Sequence, residues 1–184
     1  MFKSKIVLHQ YVLFGMMALI LVWKLLFRKV GFDLSLLWWL LGMVFGYLFV
    51  YLDRFLYCFW IHPETAFSRE MKEKLIAKKY KEIVEIILSE KVEIRELVMR
   101  SVLFLGVWLV LAVLTMTSSI SFFARGFILG IGTHLVFDLV VDYFWGGEKF
   151  NLWFWQVKRK IEKDEQKWLV GIVVLLYLLL AGGL

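Results

Sequence analysis

The sequence predicts an all-α membrane protein, a polytopic transmembrane bundle of about five helices that forms a single membrane domain over residues 1–184. Hydrophobic residues make up 61% of the 184-residue chain, and its mean hydropathy is +0.76. Soluble globular domains are less apolar than this. The apolar residues are gathered into stretches of roughly 17–25 residues, the length that crosses a bilayer as a helix.

Five apolar stretches predict the five spans. They are Ile6–Phe27, Leu34 to about Leu52, Ser101–Phe123, Phe122 to about Trp145, and Trp168–Leu184. The first stretch follows Lys3 and Lys5, as the core of a signal peptide would. Its apolar core continues to Trp23, however, and no small-residue cleavage site comes after it. We therefore expect this stretch to be retained as a helix.

The only proline, Pro63, predicts where the second helix ends. The residue before a proline is disfavoured in helical backbone, so the helix should end by His62. Counted from Leu34, such a helix has about 29 residues and a length of about 43 Å. This exceeds the hydrocarbon thickness of about 30 Å. We expect the last turns, from Asp53 to His62, to reach the interface and to continue beyond it.

The distribution of charge predicts the orientation in the membrane. Lys and Arg slightly outnumber Asp and Glu in residues 65–100 and in residues 146–167, whereas the connection between the third and fourth spans holds only Arg125. By the positive-inside rule, both charged segments and the amino terminus lie inside a cytoplasmic (inner) membrane, and the carboxyl terminus lies outside. The basic excess suits anionic lipid headgroups. Interleaved acidic residues argue against binding to nucleic acid.

Within residues 65–100 the sequence predicts an amphipathic helical hairpin in the cytoplasm. Apolar side chains recur there at helical spacing among lysines and glutamates. The apolar positions are Leu75, Ile76, Tyr80, Ile83, Val84, Ile87 and Leu88. Such a hairpin can lie on the membrane surface, cap the bundle or dock a partner protein. Residues 146–167 form a second interfacial connection, in which Trp153, Phe154 and Trp155 are typical of an aromatic belt.

The fourth span carries a ladder of residues spaced by four: Gly126, Gly130, His134, Asp138 and Asp142. Ionisable groups in a bilayer cost roughly 2.5–3.5 kcal/mol each on insertion scales, so they normally face a bundle interior, a partner or a metal. Each step of four drifts by about 40° around the helix. The two glycines therefore form a separate surface for close helix packing. The histidine and the two aspartates are the candidate functional unit.

Topology predicts that other ionisable side chains reach the same side of the membrane as this ladder. If the fourth helix runs inwards, Asp142 lies near the cytoplasmic interface, and Asp138 and His134 lie about 6 and 12 Å deeper. The residues of the resulting cluster are His9, Asp53, His62, His134, Asp138 and Asp142. Carboxylates and imidazoles suit a divalent ion such as Zn²⁺, Mn²⁺ or Mg²⁺. Each residue also has a simpler interpretation, as an interfacial charge, a helix cap or a buried hydrogen-bonded group.

The end of the fourth span resembles a known family. Its residues are similar to the closing motif of the membrane-bound metal-dependent hydrolases of bacterial and archaeal inner membranes, in which Ser/Thr-His-Leu-x-x-Asp precedes a Gly and a Leu-Trp pair. The matching residues are Thr133, His134, Leu135, Asp138, Gly147, Leu152 and Trp153. The acidic residue that the family carries after its second hydrophobic segment corresponds to Asp53. The family's His-Arg-x-x-Thr-His-Ser motif does not occur, and only His62 lies in that neighbourhood.

The resemblance and the ladder together lead to one enzymatic hypothesis, a metal-dependent hydrolase at the cytoplasmic face. His134, Asp138 and Asp53 would hold the ion, which would lower the pKa of a bound water to about 7 and polarise a phosphoryl or acyl oxygen. Asp142 and His62 are the candidate catalytic bases or outer partners of the ligands.

The alternative is a non-catalytic structural or interaction membrane protein in which the ladder locks helices together. His134 and Asp138 would then bond across helices and hold no metal. Proton or ion transfer along the ladder is a third hypothesis, but only Arg125 would continue such a path into the outer half.

Other reaction classes lack their motifs in this chain. The ladder is similar to the last part of the CDP-alcohol phosphatidyltransferase signature, but the upstream Asp-x-x-Asp-Gly-x-x-Ala-Arg part is absent. Gly-x-Ser-x-Gly, nucleotide-binding loops, Cys-x-x-Cys and His-Glu-x-x-His do not occur either. The single cysteine, Cys58, excludes an internal disulfide and is expected to fill a small apolar space.

Overall fold

The computed structural model describes residues 2–27, 33–88, 96–159 and 161–183, and these residues contain helices and turns but no β-strand. The all-α class is therefore confirmed. The helices are α1 (Phe2–Phe27), α2 (Leu34–Phe49), α3 (Asp53–Leu56), α4 (Ala66–Ile76), α5 (Tyr80–Leu88), α6 (Val102–Thr117), α7 (Phe122–Trp145) and α8 (Lys163–Gly183), with a 3-10 helix at Gly147–Phe154.

Three helices in the described part of the chain are long and apolar enough to cross a membrane: Leu34–Ile61, α7 and α8. They support the prediction of a membrane protein. Two further predicted spans coincide with shorter apolar helices, Gln10–Leu26 and Val102–Thr117. The second of these has 16 residues, because the backbone becomes extended at Ser118. Ser121 then caps α7 by accepting a hydrogen bond from the N–H of Ala124 over 3.3 Å.

The second helix is a long rod whose end agrees with the prediction. A 3-10 turn at Val50–Leu52, then α3, then a π-helical turn at Tyr57–Ile61 follow α2, so the rod runs for 28 residues over Leu34–Ile61. The rod ends because His62, which precedes Pro63, leaves the helical region with φ −133° and ψ 64°. At 1.5 Å per residue this α2–α3 rod is about 42 Å long.

The α2–α3 rod and α7 touch backbone to backbone through glycines. A Cβ atom added to Gly42 or Gly46 would lie 2.1 or 1.9 Å from a carbonyl oxygen of α7. One added to Gly126 or Gly130 would lie 2.0 or 2.1 Å from a carbonyl oxygen of α2. Any side chain there would separate the helices. The predicted packing role of Gly126 and Gly130 is confirmed, and the matching pair on α2 is a further finding.

The rod and α7 run parallel with a constant register. The facing pairs are Trp39 with Gly126, Met43 with Gly130, and Tyr47 with His134. Because residue numbers rise together along both helices, the carboxyl ends of the two helices lie at the same end of the bundle. Asp53 and Asp142 therefore share that end, as the topology predicted.

The central helix of the bundle is α7, and α6 and α8 pack on it as well. Trp108 of α6 covers Gly132, where an added Cβ atom would lie 2.1 Å from the indole ring. The Trp108 Nε1 donates a hydrogen bond to the carbonyl oxygen of Ile128 over 2.8 Å. On α8, the hydroxyl of Tyr177 lies 2.7 Å from Thr133 Oγ1. Helix α7 is consequently covered by α6 and α8 on sides other than the one that faces the rod.

The helices α4 and α5 form a hairpin that packs on the last turns of the rod. A buried apolar cluster joins the three elements, and its members are Cys58, Phe67, Met71, Ile83 and Ile87. Thr65 caps α4 by accepting a hydrogen bond from the N–H of Ser68 over 3.2 Å. Cys58 is a free, buried cysteine, which agrees with its predicted role in packing.

Candidate functional site

A six-residue segment, Glu96–Ser101, contacts several of the residues that the sequence singled out. It is irregular in backbone and leads into α6, which Ser101 caps by accepting a hydrogen bond from the N–H of Phe104 over 3.2 Å. Leu97 and Met99 are buried. We call this stretch the connecting segment. It bonds to the carboxyl end of the α2–α3 rod and to the carboxyl end of α7, so it joins the two helices.

Asp53 holds the connecting segment by its backbone. One carboxylate oxygen accepts a hydrogen bond from the N–H of Val98 over 3.2 Å, and the other accepts one from the N–H of Met99 over 2.7 Å. The residue is only 2% exposed, and a buried carboxylate needs such donors. Asp53 thus fixes the backbone of the connecting segment with both of its carboxylate oxygens.

Arg100 supplies positive charge to the carboxylates of α7. Its Nη2 lies 2.5 Å from Asp142 Oδ2, and its Nε lies 3.8 Å from Asp138 Oδ2. The indole Nε1 of Trp153, in the 3-10 helix, donates to the same Asp142 oxygen over 2.8 Å. Asp142 is therefore both paired and hydrogen-bonded, as a buried charge must be to persist. To act as a base it would first have to lose the arginine.

His134 and Asp138 lie together, as their spacing predicted. The Nδ1 of His134 is 2.8 Å from the carbonyl oxygen of Tyr47, so this nitrogen carries a proton and donates it. The other nitrogen, Nε2, lies 3.6 Å from Asp138 Oδ2. The rings of Tyr47 and Tyr51 enclose the imidazole, with ring centres 4.4 and 4.8 Å away. A backbone carbonyl thus fixes the direction in which Nε2 points.

His62 pairs with two glutamates at the end of the rod. Its Nε2 lies 2.6 Å from Glu96 Oε2, and its Nδ1 lies 3.4 Å from Glu64 Oε1. Both glutamates raise the pKa of His62 above its ordinary value of 6.5, and the hydrogen bond with Glu96 has the larger effect. Because Glu96 begins the connecting segment, His62 is a further tie between that segment and the rod.

The predicted site residues are thus brought to one end of the bundle but are divided between different partners. Within the described residues, no group of three or more His, Cys, Asp or Glu side chains is arranged to hold a metal ion. The histidine and the first aspartate of the ladder stay together, whereas Asp53 and His62 are engaged by the connecting segment. The side chain of His9 lies outside the described part of the chain. The metal site and the catalytic roles remain predictions.

Three contacting residues were not predicted from the sequence: Glu96, Arg100 and Trp153 in its bonded role. Arg100 does carry a signal, because it is a lone cation directly before the apolar stretch of α6, and such a residue needs an acidic partner. The sequence predicts Trp153 to be part of an aromatic belt. It is 1% exposed, and its indole N–H is directed inwards to the ladder.

Comparison with protein-family models, with curated proteins and with solved structures finds no match for this chain. The resemblance to the inner-membrane hydrolases stays a prediction that rests on its motif residues.

Proposed function

We propose that the chain is a non-catalytic membrane scaffold, in which the buried ladder locks the helices and the connecting segment together. The α4–α5 hairpin is the surface that this framework holds at one face of the membrane. The observation that carries the proposal is the contact of Arg100 with Asp142, supported by Trp153 on the same carboxylate oxygen. An ion pair with a further hydrogen bond suits a structural tie better than a site open to a ligand.

The proposed scaffold has five spans, and α6 is one of them despite its 16 residues. Its two ends are linked to the two ends of α7. Arg100, just before α6, reaches Asp142, and Ser118–Ser121, just after it, leads into Phe122. From Phe122 to Asp142, α7 rises about 30 Å, so the chain that precedes α7 covers the thickness of a hydrocarbon core. The parallel course of the rod and α7 also needs a return crossing between them.

The orientation in the proposal follows the positive-inside rule, with both charged segments in the cytoplasm of a cell whose inner membrane holds the protein. A cysteine in place of Lys78, which is exposed, tests this with a membrane-impermeant maleimide. We expect labelling in inside-out membrane vesicles and none in intact cells. The native Cys58 is buried and 0% exposed, so it should not compete. Labelling in intact cells would overturn the orientation.

The lock itself is tested by Arg100→Ala, with thermal unfolding in detergent as the measurement. Removing one partner of a buried pair costs on the order of 3 kcal/mol, which lowers Tm by about 6–12 °C in a chain of this size. The control is Arg69→Ala, because Arg69 is exposed and makes no ion pair within the described residues. Adding Asp142→Asn to Arg100→Ala should restore part of the loss, since the neutral amide no longer needs a cation. Unchanged stability in Arg100→Ala would contradict the proposal.

The metal-dependent hydrolase is a second candidate, favoured by the orientation of His134. Its Nδ1 is held by a backbone carbonyl, and its Nε2 points towards Asp138, an arrangement that protein metal ligands commonly have. Catalytic zinc sites use three protein ligands, and the described residues supply two at this point. Asp142, one helical turn further along α7, is the candidate for the third, and its Oδ2 atom is paired with Arg100.

Elemental mass spectrometry of the detergent-purified protein separates the two candidates. The hydrolase candidate predicts near-stoichiometric Zn or Mn in the wild type, lost in His134→Ala and in Asp138→Ala. Asp164→Ala removes an exposed carboxylate and should leave the metal content unchanged. The scaffold predicts no bound metal after reconstitution and a lowered Tm in both ladder variants.

A further inference from the structure

The tip of the α4–α5 hairpin has an apolar surface of its own. Ile76 is 82% exposed, Tyr80 is 61% exposed and Val84 is 52% exposed. Ile83 and Ile87, which belong to the same predicted apolar pattern, are buried against the rod. The apolar positions of this hairpin are therefore divided between two faces. One face holds the hairpin on the bundle, and the other is presented outwards at the tip.

Lysines surround this second face. Residues 75–81 contain three lysines and no acidic residue. Lys79 lies 3.1 Å from Glu82, whereas Lys78 and Lys81 are exposed and form no ion pair within the described residues. The tip thus combines bulky apolar side chains with exposed positive charge, the combination that amphipathic elements use on anionic bilayers.

Lys78 occupies a position that normally favours glycine. Its φ is 54°, in the left-handed region where a side chain costs roughly 1 kcal/mol. Hydrogen bonds from the N–H of Lys79 to Lys74 O (3.0 Å) and from the N–H of Lys78 to Leu75 O (3.1 Å) close the end of α4. This is the helix end at which glycine is common. The chain keeps a charge at the tip where glycine would relieve the backbone.

The length of the rod brings the hairpin to the lipid headgroups. The rod is about 42 Å long, close to the total bilayer thickness of about 40–45 Å including the headgroup layers. Its last turn carries the hairpin, which is joined to it through His62–Thr65. The base of the hairpin is therefore at the level of the headgroups when the rod spans the membrane. Helix α4 has 11 residues and is about 16 Å long, so its tip stays in the headgroup layer when the hairpin lies along the membrane surface, as the proposal below requires.

We propose that the hairpin tip inserts into the anionic surface of the bilayer that the chain spans. Ile76 and Tyr80 reach the boundary of the acyl chains, while Lys78 and Lys81 contact the phosphates. This inference rests on the proposed function in one respect, that the hairpin lies at a membrane face. It does not depend on the contact between Arg100 and Asp142.

The test places an environment-sensitive fluorophore on the tip. The fluorophore is attached to a cysteine introduced by Ala77→Cys, because Ala77 is exposed and the change keeps both neighbours, Ile76 and Lys78. The native Cys58 is buried and should not be labelled. The labelled protein is reconstituted in nanodiscs of phosphatidylcholine, alone or mixed with phosphatidylglycerol, that contain a nitroxide-labelled lipid. We expect blue-shifted emission and strong quenching in the anionic discs, with weaker quenching in neutral discs and at high salt. A label that stays unquenched in anionic discs at low salt would overturn the proposal and favour a protein partner or a solvated tip.

Two lysine substitutions separate charge from folding. Glycine in place of Lys78 relieves the left-handed backbone, so the Tm of Lys78→Gly should not fall. The equilibrium constant for insertion of the tip into the surface of an anionic disc should nevertheless fall about fivefold. Lys81→Gln should lower it by a similar factor, and Lys158→Gln, the same change in an exposed lysine of the other connection, should leave it unchanged. Equal quenching in all three would contradict a role for charge at the tip.

The failure of this proposal is distinct from the failure of the scaffold. If the label on the tip is quenched while Arg100→Ala leaves Tm unchanged, the lipid contact is supported and the structural role of the Arg100–Asp142 contact is contradicted. If Arg100→Ala lowers Tm and the label is not quenched, the structural role is supported and the lipid contact is contradicted.

Discussion

Two regions of α7 join the rest of the bundle by opposite means. From Gly126 to Gly132, which we call the glycine half, the helix contacts its neighbours where side chains are missing. From His134 to Asp142, the charged half, it contacts them through an imidazole and two carboxylates. Both halves lie on one helix of 24 residues, so the difference comes from the residues and not from the architecture.

Backbone contacts at glycines and contacts made by charged side chains join different kinds of partner to α7. Bare backbone packs against another straight helix or a flat ring, and so the glycine half engages α2 and the indole of Trp108. Charged side chains reach further and bond to side chains of segments that are not straight helices. The charged half accordingly gathers Arg100 of the connecting segment and Trp153 of the 3-10 helix, neither of which is part of a membrane span. Asp142 of the ladder therefore joins the connecting segment and the 3-10 helix to α7.

The largest expected effect is at the contact between the glycine half of α7 and the rod. In Gly46→Ala the added Cβ atom would lie 1.9 Å from the carbonyl oxygen of Phe127, so the rod and α7 must separate along their length. We expect a loss of about 3 kcal/mol or more in the free energy of unfolding, measured as thermal unfolding in detergent.

Gly106→Ala is the matched control for that substitution. Gly106 lies on α6 with no atom within 4 Å of an added Cβ atom, so alanine should keep or slightly raise stability through its better helix propensity. If Gly46→Ala were as stable as Gly106→Ala, the backbone contact between the two parallel helices would be refuted.

A smaller effect is expected from Trp153→Phe in the charged half. The change removes the indole donor from Asp142 and leaves the ion pair with Arg100, so it should cost about 2 kcal/mol. Trp145→Phe is the control, because Trp145 is 77% exposed and its loss should stay within about 0.5 kcal/mol. Unfolding by temperature in one detergent measures both. Similar Tm values for the two variants would argue against a bonded role for Trp153.

Spacing rules were enough to predict the glycine half and the members of the charged half. The step of four predicted close packing at Gly126 and Gly130 and the pairing of His134 with Asp138, and the structure has both. The two sets do not form separate surfaces, because His134 faces Tyr47 of the rod in the same register as the glycines. Pro63 predicted the end of the rod, because a proline acts on its own neighbour. These signals are local, so one sequence is sufficient to read them.

The partners of the buried aspartates, on the rod and on α7, could not be predicted in the same way. Asp53 accepts its hydrogen bonds from the N–H groups of Val98 and Met99, and every residue except proline has such a group. No sequence pattern therefore marks the donors. The sequence places Arg100 among the charges of residues 65–100. Its partner, Asp142, lies 42 residues further along the chain, and no local pattern links two residues so far apart.

The smallest effect concerns pH and the pair of His62 with Glu96, which ties the connecting segment to the end of the rod. The hydrogen bond with Glu96 raises the pKa of His62 above 6.5 in the folded protein, so protonated His62 favours folding. That contribution is complete below the ordinary pKa and is lost as the pH rises through the raised one. The Tm difference between wild type and His62→Gln should therefore shrink as the pH rises above about 6.5. Glu96→Gln should remove the same pH dependence, and Gly46→Ala should keep it, because backbone contacts do not titrate. Parallel pH profiles for wild type and His62→Gln would mean that the connecting segment is held without this pair.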